Sequence, residues 1–249
     1  MDYETLDVTE EENILTIALN RPHVHNAMND LMMEELTSCF KNIDEKIRAI
    51  ILTGNGKTFC GGADLNWMKS MVNYSKEENI KDSRKLLDLF ETIYSCSKPV
   101  IGHITGSAFG GGVGLIAVCD ITIAIPGLKF AFSEVKLGLI PSVISTYVIR
   151  RIGPANARRL FITGERFSSE HAKEIGLIDF VVEEKKIDEK IDEIIKEIKT
   201  SAPIAIGEAK NLVKVNQEMD VKKYKEYTAV SYTHLRAHET RHDLVCRLL

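Results

Sequence analysis

Gly106-Ser107-Ala108-Phe109-Gly110-Gly111-Gly112-Val113-Gly114-Leu115 is the stretch on which the reading of this chain turns. It follows an apolar run, residues 100–104, that reads as a strand covered on both faces, and it opens a helix. Glycine lets the backbone come close to a ligand, and a helix N-terminus presents N–H groups with no intrahelical acceptor. A second loop of the same character, Phe59-Cys60-Gly61-Gly62-Ala63-Asp64-Leu65, follows the apolar run 49–53. Two convergent N–H donors form an oxyanion hole, each worth roughly 3 kcal/mol of barrier where charge develops on a carbonyl oxygen. Neither loop fits a dinucleotide fingerprint or a phosphate-binding P-loop. Taken singly, each would be a tight turn.

Outward from these loops the chain alternates strands with helices. Strands are predicted at 14–19, 49–53, 100–104 and 121–125. Asn29 or Asp30 can cap a helix whose apolar face is Leu31, Met32, Leu36, Phe40 and Ile43. A second helix is predicted over 76–95, with Ile80, Leu86, Leu87, Phe90 and Ile93 inward. The second half reads as helices at 142–152, 154–163 and 169–175. An isoleucine stripe at 187, 191, 194, 195 and 198 continues the pattern. No internal repeat or Pro/Gly/Ser-rich linker interrupts it, so an α/β fold is expected. The predicted division is a core over 1–200 and the start of a C-terminal helical region over 201–229.

The net charge of −4 over 249 residues argues against a nucleic-acid binder, since no Lys/Arg surplus exists to neutralise phosphates. No apolar run approaches the ~20 residues that span a bilayer, and the acidic first twelve residues do not read as a signal peptide. Cys39, Cys60, Cys96, Cys119 and Cys246 form no CxxC pair, which suits reduced thiols in a cytoplasmic protein. Cys60 lies in a glycine loop, yet no motif specifies a His partner, so a buried thiol is expected rather than a nucleophile.

In order along the chain stand Asn20-Arg21-Pro22, Asn26-Ala27-Met28, Phe59-x-Gly-Gly-Ala-Asp-Leu65, Lys98-Pro99-Val100, Gly106-x-Ala-x-Gly-Gly-Gly112 and Cys119-Asp120. Phe132-Ser-Glu-Val-x-Leu-Gly-Leu-Ile-Pro141, Leu160-x-x-Thr-Gly164 and Ala172-x-x-x-Gly-Leu-Ile178 follow. This set, covering about residues 5 to 229, closely resembles the crotonase (enoyl-CoA hydratase/isomerase) superfamily. The resemblance implies a spiral of ββα turns with a C-terminal helical region, assembled as a trimer or hexamer. It implies an acyl-CoA thioester as substrate, with no cofactor beyond that coenzyme A. By match to the family motifs, Ala63 and Gly111 supply the oxyanion N–H groups and Glu134 is the catalytic acid/base. Arg21, Ala27, Ala63, Asp64 and Leu65 flank the coenzyme A arm, and Gly110 and Gly114 complete the expected substrate- and coenzyme A-binding set. No metal site is implied.

Gly114 departs from the pattern, because the usual hydratase carries its first glutamate there. Hydration by Glu134 alone, double-bond isomerisation, and decarboxylation or hydrolysis all remain open, as does a non-catalytic CoA-binding module. Ser107, Ser133 and Ser142 are candidates to stand in for the missing carboxylate. The resemblance is closest to a methylglutaconyl-CoA hydratase-like branch of leucine degradation, which favours a lyase. A substrate with a free carboxylate would want a cation, and Arg150 or Arg151 is the candidate.

Residues 230–249 change character. His238-Glu239-Thr240-Arg241-His242 matches the HExxH zinc pattern, but too little chain follows for a downstream third ligand. The segment instead resembles translated sequencing-adaptor DNA and is expected to be non-native.

Overall fold

The computed structural model describes residues 3–70 and 73–239, the side chains of 232–239 excepted. The HExxH stretch is therefore outside the described residues from Thr240 on, as is Cys246. The chain divides into two compact units, one ending at Ile198 and one beginning at Lys199.

The first unit holds two sheets. β1 (Leu6–Glu11) pairs antiparallel with β2 (Ile14–Leu19). β3 (Ala49–Gly54), β5 (Val100–Ile104), β7 (Ile121–Ala124) and β10 (Phe180–Val181) then add in parallel, giving the order β1-β2-β3-β5-β7-β10. The second sheet takes the short strands between them. β4 (Thr58–Cys60), β6 (Ser107–Phe109) and β8 (Lys129–Ala131) run parallel, and β9 (Phe167–Ser168) closes that sheet antiparallel. Three successive turns of chain, β3 with β4, β5 with β6 and β7 with β8, each lay one strand in each sheet and are followed by helix, the expected ββα spiral. β3 and β5 are mostly buried, as their apolar residues foretold, with Thr53 and His103 as the polar, partly buried exceptions.

Asn29 caps α1 (Asp30–Lys41), its side chain accepting from the Met32 N–H at 3.0 Å. Met32, Met33, Leu36, Cys39 and Phe40 are buried on its inner face. A short helix, α2 (Leu65–Ser70), precedes α3 (Lys76–Tyr94). α3 starts on a reciprocal capping box between Ser75 and Glu78. It buries Leu89, Phe90 and Ile93, whereas Ile80 and Leu87 are exposed, correcting their predicted inward placement. The true stripe is one residue out of phase with those two positions.

α4 (Gly111–Ala117) is buried from Gly112 onward. α5 (Ser142–Thr163) breaks at Gly153, whose φ of 76° no helix admits, and Pro154 restarts it. The two predicted helices, 142–152 and 154–163, are its two halves. α6 (Ser169–Glu174) and α7 (Ile187–Thr200) follow, α7 burying Ile187, Ile191, Ile195 and Ile198. Beyond them come α8 (Pro203–Glu218) and α9 (Val221–Glu239). α9 runs without interruption through residue 230, where the sequence changes character.

Candidate active site

The two glycine loops abut. Met28 forms a parallel bridge to Ala63, its N–H donating to the Gly62 carbonyl at 2.7 Å and its carbonyl accepting from the Asp64 N–H at 2.8 Å. Those bonds use the groups on either side of Ala63, so its own N–H points away from Met28. Gly62 sits at φ 94°, and a Cβ there would lie 2.8 Å from the Phe109 carbonyl oxygen and 3.8 Å from the Gly111 nitrogen. Only glycine allows this approach.

Gly111 is the first residue of α4. The Gly110 carbonyl takes the N–H groups of Val113 (2.9 Å) and Gly114 (3.2 Å), leaving those of Gly111 and Gly112 without an intrahelical acceptor. A Cβ on Gly111 would fall 2.5 Å from the Met28 Cε. Ala63 and Gly111, two of the sequence candidates, are therefore brought to adjoining loops with N–H groups that the local hydrogen bonding does not use.

Asn26 holds this arrangement in place, although the sequence reading gave it no separate role. It is fully buried at φ 52°, a conformation asparagine tolerates better than most residues. Its side chain accepts from the Arg21 N–H at 2.8 Å and donates to the carbonyls of Asn55 (2.9 Å) and Thr58 (2.8 Å). Its place in the Asn26-Ala27-Met28 motif was the hint that the sequence offered.

Arg21 and Asp64, both predicted to flank coenzyme A, are joined to each other at 2.9 Å. Arg21 also donates to the Ala27 carbonyl, and Asp64 takes the Asn66 N–H at 2.8 Å at the start of α2. Burial pushes the Asp64 pKa upward, but the hydrogen bonds from Asn66, Arg21 and Trp67 outweigh it and hold the carboxyl below its ordinary value. Leu65 next to it is exposed, an apolar face open to a ligand.

Glu134 opens a 3-10 turn, Glu134–Leu137, just after β8. Gly138 at φ 74° ends the turn, and the Leu139 N–H donates back to the Glu134 carbonyl at 3.0 Å. The carboxylate faces Gly110: a Cβ on that glycine would meet Oε1 at 3.2 Å and Oε2 at 3.8 Å. Oε2 is buried and makes no hydrogen bond among the described residues. Burial raises the Glu134 pKa above its ordinary value, opposed only by its own backbone N–H. A carboxyl raised in this way both takes and returns a proton more readily than an ordinary glutamate.

The remaining candidates sort differently. Arg151 is spent on structure, donating to the carbonyls of Leu177 (3.0 Å) and Cys119 (2.6 Å), to Thr122 Oγ1 (2.9 Å) and to Asp179 (2.9 Å). That corrects its candidacy for a substrate carboxylate. Arg150 lies over the Tyr94 ring at 5.9 Å. The Ser107 hydroxyl accepts the Lys129 N–H at 3.0 Å, Ser133 flanks the 3-10 turn, and Ser142 is exposed. Cys60 is fully buried and its pKa is pushed up to about 12, which disposes of the nucleophile.

Residues 9–244 match the family model described as enoyl-CoA hydratase/isomerase. The chain is 31% identical over 229 residues to the short-chain-enoyl-CoA hydratase of Clostridium acetobutylicum, covering 89% of this chain and 85% of that one. It is 32% identical over 207 residues to the 1,2-epoxyphenylacetyl-CoA isomerase of Escherichia coli, covering 82% and 79%. Among solved structures, an enoyl-CoA hydratase from Shewanella pealeana superposes with a TM-score of 0.88 at 33% identity, over 94% of this chain and 88% of that one. An enoyl-CoA hydratase/isomerase from Marinobacter aquaeolei gives 0.88 at 32%, over 93% and 91%.

Proposed function

Since the chain belongs to the enoyl-CoA hydratase/isomerase family, we propose that it adds water to a 2-enoyl-CoA with Glu134 as the single acid/base. The observation that carries this reading is the half-buried Glu134 carboxylate, with its unpartnered Oε2, beside Gly110 and next in sequence to the unused Gly111 N–H. The thioester carbonyl accepts from the Ala63 and Gly111 N–H groups. Glu134 takes a proton from water as the water oxygen bonds to C3, and the C2–C3 electron pair moves into an enolate. The enolate oxygen is held by the two N–H donors. Glu134 then returns the proton to C2, leaving a 3-hydroxyacyl-CoA and the carboxylate as it began. The step needs no cofactor beyond the coenzyme A of the substrate.

Within this class we assign 3-methylglutaconyl-CoA as the substrate to test first, on the motif resemblance, with Arg150 as the cation for its free carboxylate. A second reading, isomerisation, is favoured by Gly114, since one base suffices to move a proton between C2 and C4. The proposed setting is a cytoplasmic homotrimer or hexamer.

Crotonyl-CoA and 3-methylglutaconyl-CoA supplied in heavy-oxygen water distinguish these readings. Label is expected in the hydroxyacyl product, with Glu134→Gln lowering the rate by about 10²–10⁴-fold. Product formed without label would move the assignment to isomerisation, and an unimpaired Glu134→Gln would remove Glu134 from the chemistry.

A further inference from the structure

The position that lacks a carboxylate is not empty. A Cβ on Gly114 would lie 2.3 Å from Ile144 Cγ2, 3.0 Å from Ile144 Cβ and 3.1 Å from Phe90 Cε1. Both neighbours are buried, Phe90 completely. Ile144 Cβ is bonded directly to the α5 backbone, so it cannot swing aside as the end of a long side chain would. The Phe90 ring is backed by Tyr147, one turn along α5, at 6.1 Å between centroids, and the Tyr147 hydroxyl donates to Glu91 at 3.0 Å. α3 and α5 therefore press on α4 from a fixed position.

One turn earlier the same backbone is faced by a carboxylate. Gly110, whose carbonyl accepts the Gly114 N–H, has Glu134 Oε1 3.2 Å from where its Cβ would stand. Along about 6 Å of α4 the surroundings pass from an ionisable oxygen to a branched hydrocarbon.

We propose that Ile144 is a specificity-determining residue: it fills the volume a second carboxylate would occupy and so confines proton transfer to Glu134. Gly114 and Ile144 are complementary halves of one packing arrangement, so restoring a carboxylate takes two substitutions. The surroundings of Gly114 are apolar and give no second anchor for water there. This inference rests on the acyl site assigned above.

The test compares Gly114→Glu, Ile144→Ala and the double variant, using the same labelled-water assay over a range of pH. Gly114→Glu alone is expected to lose thermal stability and to add no ionisation to the pH–rate profile. The double variant is expected to recover stability relative to Gly114→Glu, to show an additional ionising group, and to hydrate at least tenfold faster than Ile144→Ala. The proposal is overturned if Gly114→Glu alone melts like the parent and shows the second ionisation. A folded double variant with the profile of Ile144→Ala overturns it as well. Should the glutamate variants not fold, Gly114→Ala and Gly114→Ala/Ile144→Val carry the test by thermal melting. Ile144→Val is expected to offset the loss from Gly114→Ala, and a Gly114→Ala that costs nothing overturns the proposal. Glu134→Gln run alongside separates the two claims, since its outcome bears only on the reading of the site.

Discussion

Glu134 places its carboxyl where function and stability pull in opposite directions. Burial raises its pKa, so the folded chain binds that proton more tightly than the unfolded chain does. Its contribution is therefore most favourable below the ordinary glutamate value of 4.5, declines as pH rises through the folded value, and is a full cost above it. Glu134→Gln should melt at a higher temperature than the parent at pH 8, with the difference vanishing near pH 4. Melting curves across that range check it, and a variant less stable at every pH would show that the carboxylate has a stabilising partner. The opposite case is Asp64, whose hydrogen bonds and pairing with Arg21 favour the charged form.

Among the elements, the contact between the two glycine loops is the most sensitive. Gly62→Ala forces a side chain into a left-handed backbone and into the Phe109 carbonyl 2.8 Å away. The strained backbone alone costs about 1–3 kcal/mol. If, as proposed, the loop N–H groups meet the developing charge, kcat should fall more than KM rises, which steady-state kinetics will show. α5 is fastened to the large sheet by Arg151, which ties Cys119, Thr122, Leu177 and Asp179 together. Arg151→Met should cost about 3 kcal/mol, or roughly 10 °C in melting temperature, by removing the guanidinium's hydrogen bonds and leaving Asp179 and the Leu177 carbonyl only those from Thr122. An unshifted melt would mean that water replaces the guanidinium at no cost.

At the scale of the whole molecule, every buried side chain among the described residues belongs to the first unit, ending at Ile198. α8 buries none of its own. A peptide of residues 203–231 is thus expected to show little helix by circular dichroism in water, since helices of this length depend on packing; a strongly helical spectrum would contradict it. How much of the molecule could be read in advance follows the range of the forces involved. The sequence by itself determined the long elements, because predominantly apolar runs such as 49–53 and 100–104 require cover, and Gly153-Pro154 breaks a helix. It also marked Ala63, Gly111 and Glu134 as candidates, through their match to the family's ordered motifs. Only the tertiary structure decided the rest. The three-residue strands β4, β6 and β8 are too short to show a period and exist because neighbours complete their hydrogen bonds. Arg151 could be told from Arg150 only by what each one touches. The meaning of Gly114 depended on Ile144, thirty residues away, whose methyl group occupies the space that the glycine's missing side chain leaves open.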